Sequence, residues 1–127
     1  MSGLTIGSIG EELNLVVVQG ASLRLRFTMT NSVGGAPVNL SGITFQSQVR
    51  KSRSSSQVVL TLNFVVSNVL TGEYALNLTA AETAAMAVSE DPNQNKYVWD
   101  MRMTDSTGLI TPLYYGVFEI FPSVTRA

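Results

Sequence analysis

Cysteine and histidine are both missing from the 127 residues. Without them there is no disulfide, no Ser-His or Cys-His nucleophile pair, and none of the thiolate and imidazole ligands that most zinc, copper and iron sites use. Charge is scarce as well: 8 Lys and Arg stand against 9 Asp and Glu, 13% of the chain, for a formal net charge of -1. An average soluble domain carries roughly 25% charged residues. So weak a charge supplies no long-range field to gather nucleic acid or anionic lipid. No apolar run approaches the ~18 residues of a membrane span, and no positive region precedes Leu4, Ile6 and Ile9 to mark a classical export signal. What remains is a β-rich structural or binding domain acting through contacts with other protein. It is expected to be no enzyme, to need no cofactor, to touch neither nucleic acid nor membrane, and to take no small-molecule ligand.

A chain of this size buries roughly two thirds of its unfolded surface in one core, so a single domain is expected. Three glycines in the first ten residues oppose a strand interior. Residues 1–12 therefore read as a flexible or partner-ordered arm, with Leu4, Ile6 and Ile9 as its contacts, and 13–127 as the domain. From residue 13 onward the apolar period is two. Leu23, Leu25, Phe27 and Met29 alternate with Ser22, Arg24, Arg26 and Thr28, which predicts a strand with one face in a core. The apolar run at 13–18 predicts a strand buried on both sides or sealing a sheet edge.

Further inward sets are Ile43, Phe45, Ser47 and Val49; Val58, Leu60, Leu62 and Phe64; Tyr74, Leu76 and Leu78; and Tyr97, Trp99, Met101 and Met103. Residues 109–121 are long and apolar, with Pro112 and Gly116 marking an edge or a bulge. The capping box TAAE at 79–82 predicts a short helix from Ala80 to Met86 across one end of the core. About seven strands separated by turn signals, with one short helix, predict an all-β, two-sheet immunoglobulin-like sandwich that lacks the usual cysteine pair.

Little in the chain carries chemistry. A glycosidase needs two carboxylates facing one sugar, whereas Glu82 belongs to its cap, Glu73 and Asp105 flank turn glycines, and Asp100 shares an outward strand face with Arg102. Asp91, Asn93 and Asn95, with Glu90, place oxygens like the start of a calcium loop. Lys96 then stands where that loop needs glycine, and Arg102 where it needs a bidentate glutamate. Arg50, Lys51 and Arg53 form the basic cluster of a serine-rich loop, with no aromatic interleaved to stack bases, and read as a solvated tip or a docking contact. Trp99 plugs the core. Tyr114 and Tyr115 point to opposite faces of a strand, so one of them is a candidate contact for protein or glycan.

Taken in order, LVVVQG at 15–20, PVNLSG at 37–42, FQSQVR at 45–50, GEYALNLTAAETAA at 72–85, YVWDMRMTD at 97–105 and PSVTR at 122–126 resemble the small immunoglobulin-like domains of tailed-bacteriophage virion proteins of the baseplate and tail-tip type. The resemblance implies a tail, baseplate or tail-fibre adaptor located in the virion after assembly in the host bacterial cytoplasm. Its implied partners are further copies of itself and tail or capsid components. A capsid decoration protein fits the same residues. A carbohydrate-binding module gripping host glycans through Tyr114 or Tyr115 is the alternative from another class.

Overall fold

The structure is a computed structural model and describes residues 10–31 and 35–125. Leu4, Ile6 and Ile9 of the expected arm lie outside the described residues. The strands are β1 (Glu11–Glu12), β2 (Leu15–Val18), β3 (Leu23–Thr28), β4 (Thr44–Arg50), β5 (Leu60–Thr61), β6 (Asn63–Asn68), β7 (Glu73–Leu78), β8 (Lys96–Thr104) and β9 (Ile110–Phe121). Between β7 and β8 come helix α1 (Ala80–Ala84) and a 3-10 turn (Pro92–Asn95). One sheet runs β1-β9-β8-β4-β5, with β2 also on β9, and the other runs β3-β7-β6. This is the immunoglobulin-like sandwich the alternation predicts. The described residues hold nine strands rather than about seven, because the expected arm contributes β1 and the expected strand at 58–64 is broken in two.

The added strand is at the amino-terminal edge. β1 and β2 both pair in parallel with β9, Glu11 opposite Tyr114 and Leu15 opposite Phe118. Glu11 and Glu12 of the expected arm thus belong to the sheet. Between β1 and β2, the Trp99 indole N–H donates to the Leu13 carbonyl at 2.8 Å, and the Val117 amide donates to Asn14 Oδ1 at 2.9 Å. Gly116 makes this crossing possible, since a Cβ there would lie 2.3 Å from the Leu13 oxygen. Leu15 and Val17 are buried and Val16 and Val18 exposed, so β2 seals an edge with one face only. β3 joins the opposite sheet, and the two strands form no hairpin.

The break corrects the inward set at 58–64. β5 pairs with β4 and β6 with β7, so the chain changes sheets at Leu62, whose amide donates to the Ser47 carbonyl at 3.0 Å. Val58, expected inward, is exposed. A period of two survives a corner only if each half keeps facing the same core. Leu60 and Leu62 do so, and Val58 precedes the first pairing with β4.

Between the sheets, Tyr74 is stacked by Phe27 at 5.1 Å and by Phe45 at 4.9 Å, and is 2% exposed. Burial pushes its hydroxyl well above its ordinary range, helped by the hydrogen bond with Tyr114 and by the nearby charges of Tyr114 and Glu11. Phe118, Leu76, Ile120 and Val49 are fully enclosed, and each such side chain contributes roughly 1.5–3 kcal/mol.

The capping box forms as read: Thr79 Oγ1 accepts from the Glu82 amide at 3.1 Å, and Glu82 Oε1 accepts from the Thr79 amide at 3.0 Å. The helix is shorter than expected, ending at Ala84. Met86 leaves the helical path and buries itself. What docks α1 is Thr83, 0% exposed, whose hydroxyl accepts from the Gly20 amide at 3.0 Å and donates to the Ala21 carbonyl at 2.8 Å. Thr83→Val keeps the shape and removes both bonds. It is expected to cost about 1–3 kcal/mol in urea denaturation, because the Gly20 amide is left without its acceptor.

Candidate functional site: the outer face of the six-stranded sheet

The residues that alternate away from the core on β4 and β8 come together on one surface. In the ladder, Gln46 faces Arg102, Gln48 faces Asp100, and Asp100 faces Tyr115 on β9. A groove of about 650 Å³ lies on this face, lined also by Thr61 and Asn63 at the β5-β6 corner and by Arg50 and Arg53. Arg102 Nε donates to Gln46 Oε1 at 2.8 Å rather than turning to Asp100. Asp100 is the only carboxylate among the residues lining the groove.

The 51–57 loop is exposed at every residue but Ser55, and it is held in one shape by its own bonds. Arg50 donates to the Ser55 carbonyl at 2.7 Å and to Gln48 Oε1 at 2.9 Å, which folds the loop back toward the sheet. That fold brings the Arg53 guanidinium over the Tyr115 ring, 5.7 Å from its centroid. Lys51 goes the other way, donating to the Gln94 carbonyl at 2.6 Å and lying 4.6 Å from the centroid of the Tyr97 ring. The three cations that are neighbours in sequence are therefore divided between two places, and the two arginines reach the groove.

The two tyrosines divide as their adjacency requires. Tyr115 is half-buried on the outer face beneath Arg53. Tyr114 faces inward, 6.4 Å from Trp99 and 5.7 Å from Phe27 between ring centroids, which makes it a packing residue rather than an exposed contact.

In the 88–95 loop two of the four expected oxygen donors, Asp91 and Asn95, are engaged with the backbone. Asn95, 3% exposed, accepts from the Ser89 amide at 2.7 Å and donates to the Ser89 carbonyl at 2.8 Å. Asp91 Oδ1 accepts from the Asn93 amide at 3.1 Å and so caps the 3-10 turn. These bonds give the loop its shape and deliver the chain to β8. Among the described residues no group of three or more Asp, Glu, His or Cys is placed to hold a metal ion.

Asp105 serves its turn likewise. Bonds from the Thr107 hydroxyl and the Leu109 amide hold its carboxyl below the ordinary carboxylate range. Among the described residues no helix is long and apolar enough to cross a membrane.

Gln46, Gln48 and Thr61 were not legible as site residues. Their signal is the outward half of each alternation, but which outward halves become neighbours depends on strand order.

The described residues define a two-sheet, immunoglobulin-like β-sandwich with a polar groove on its larger sheet. No protein-family model matches the chain, and no curated protein matches it. Among solved structures, a point mutant of the SrpA adhesin from Streptococcus sanguinis superposes with a TM-score of 0.51 at 11% identity, over 86% of this chain and 55% of the adhesin chain. The chain thus spans about half the length of the adhesin chain it matches, and the likeness shows the fold.

The resemblance to phage virion domains is corrected here. The sandwich matched is that of a bacterial adhesin, which overturns the virion, tail and baseplate assignment. The physical reason lies in the quoted phrases, four of which are β2, β4, β7 with its capped helix, and β8, while the other two, at 37–42 and, among the described residues, 122–125, lie outside the strands and the helices. Any sandwich of this topology needs such segments. Virion location and tail or capsid partners rested on that resemblance alone, and the fold likeness does not single them out.

Proposed function

We propose that this domain is a non-enzymatic recognition module that holds a saccharide in the groove on the outer face of its six-stranded sheet. The observation that carries the reading is the lining itself: Gln46, Gln48, Asp100, Arg102, Thr61 and Asn63 converge on one groove of about 650 Å³. Saccharides present adjacent hydroxyls that both donate and accept. Amide, carboxylate and guanidinium groups are the planar partners able to take two of them at once. Tyr115, at the margin of the same face, offers an aromatic surface for the apolar side of a sugar ring. A single carboxylate in the groove gives binding without the acid and base pair that glycoside hydrolysis needs. The fold it shares with a bacterial adhesin supports a binding role.

Protein partners, further copies of this chain included, belong in this reading to the outer edge of β2, where Val16 and Val18 are exposed.

A glycan array probed with the whole chain tests the proposal. Binding to a restricted set of glycans is expected, reduced about tenfold or more when Gln46 and Gln48 are both changed to Ala, since two hydrogen-bonding groups are lost. A folded protein that binds no glycan, or a double variant that binds as the parent does, overturns it.

A further inference from the structure

We infer that the saccharide taken by this groove is acidic, carrying a carboxylate or sulfate group; the inference rests on the saccharide reading above. The chain is weakly charged overall, yet three of its 8 Lys and Arg line this one groove, Arg50, Arg53 and Arg102, against Asp100 alone of its 9 Asp and Glu. The local balance is positive in a molecule whose net charge is -1.

Nor are these guanidinium groups engaged by the protein's own anions. Arg50 is bonded to the Ser55 carbonyl and to Gln48, Arg102 to Gln46, and Arg53 lies on the Tyr115 ring, so that among the described residues none is spent on a carboxylate. Each contact is to a neutral group and fixes the guanidinium without neutralising it. A fixed, uncompensated guanidinium with N–H edges to spare is pre-organised for a planar carboxylate or a sulfate.

Asp100 sets the orientation. Its carboxylate repels an anion placed beside it and accepts hydroxyls instead, so the acidic group of the ligand falls toward the arginines and its hydroxyls toward Asp100. A neutral sugar would leave the three cations idle. A ligand that is only an anion would leave Asp100 and the glutamines without partners.

Calorimetric titration of the whole chain with three oligosaccharides of equal length decides the matter: an oligogalacturonate, a sulfated galacto-oligosaccharide free of uronic acid and a neutral galacto-oligosaccharide. At least one acidic probe is expected to bind about tenfold tighter than the neutral one, and the two acidic probes distinguish carboxylate from sulfate. The advantage shrinks at about 1 M salt, where the screening length falls to ~3 Å. Arg102→Gln is expected to cost the acidic probe about tenfold more than it costs the neutral probe, while Asp100→Asn strengthens the acidic probe. Arg24→Gln, on the outer face of the other sheet, leaves all three unchanged.

Neutral and acidic probes bound equally would overturn the acidic assignment and leave the saccharide reading standing. Equal losses in Arg24→Gln and Arg102→Gln would reduce the effect to diffuse charge and likewise overturn it. No binding of any probe, coupled with an empty glycan array, takes down both.

Discussion

Replacing Gly72 by alanine is expected to remove about 3–4 kcal/mol of stability, a large share of what a domain of this size holds. Gly72 has φ of 71°, a left-handed conformation that costs an ordinary L residue roughly 1–2 kcal/mol. Space is the second difficulty. A Cβ on Gly72 would lie 2.4 Å from the Met29 carbonyl oxygen and 3.0 Å from that of Val38. Both are backbone atoms, and the segments that carry them are tied in place, since the Val38 amide donates to the Met29 carbonyl and the Met29 amide to the Gly72 carbonyl. Nothing there can rotate out of the way. Urea denaturation should show a lower midpoint at unchanged slope, and calorimetry a melting temperature roughly 10–15 °C lower. Gly20→Ala separates the two causes. Gly20 has φ of 83° but nothing within 4 Å of its Cβ position, so only the conformational cost of roughly 1–2 kcal/mol applies. Equal losses at the two glycines would show that the close approach contributes nothing.

Phe118→Ala is expected to cost about 3–5 kcal/mol. Phe118 is fully buried on β9, with Leu15 opposite it on the β2 side and Tyr97 on the β8 side. Its ring occupies the middle of three adjacent inward positions, and strands fixed by their own ladders cannot close over the space it leaves. The lost transfer energy and the cavity therefore add. Phe121, three residues along the same strand and 44% exposed, provides the comparison; its alanine variant is expected to lose less than about 1 kcal/mol. A Phe118 variant no weaker than the Phe121 variant would contradict the placement of β9.

Much of the sandwich was legible because a strand writes its orientation into its own alternation. Phe45, Ser47 and Val49 point inward and Gln46, Gln48 and Arg50 outward whatever lies beside them. Trp99 was readable as a core plug, and the Thr79–Glu82 box as a helix start, since each depends on a few consecutive residues. Val58 misled because a run continuing the period through a corner looks like one strand. Thr83 was missed as the anchor of α1 because its partners, Gly20 and Ala21, lie more than sixty residues away. Arg50, Lys51 and Arg53 read as one patch by proximity along the chain, yet their backbone turns Lys51 toward Tyr97 and Arg53 toward Tyr115. The phage likeness failed for a related reason, since successive alternating segments and a capping box specify an architecture that unrelated proteins share.

From its residues alone the chain determined its fold class, the inward face of most strands, the capped helix and the lack of cysteine and histidine chemistry. Those properties follow from local sterics, periodicity and composition, none of which needs a distant partner. The tertiary structure alone decided that β4 and β8 lie side by side, that β9 receives β1 and β2 in parallel, and that the 51–57 loop folds onto the sheet. The groove exists because of those pairings. Strand order is a property of contacts between segments far apart in sequence, and a two-residue period is the same beside any neighbour.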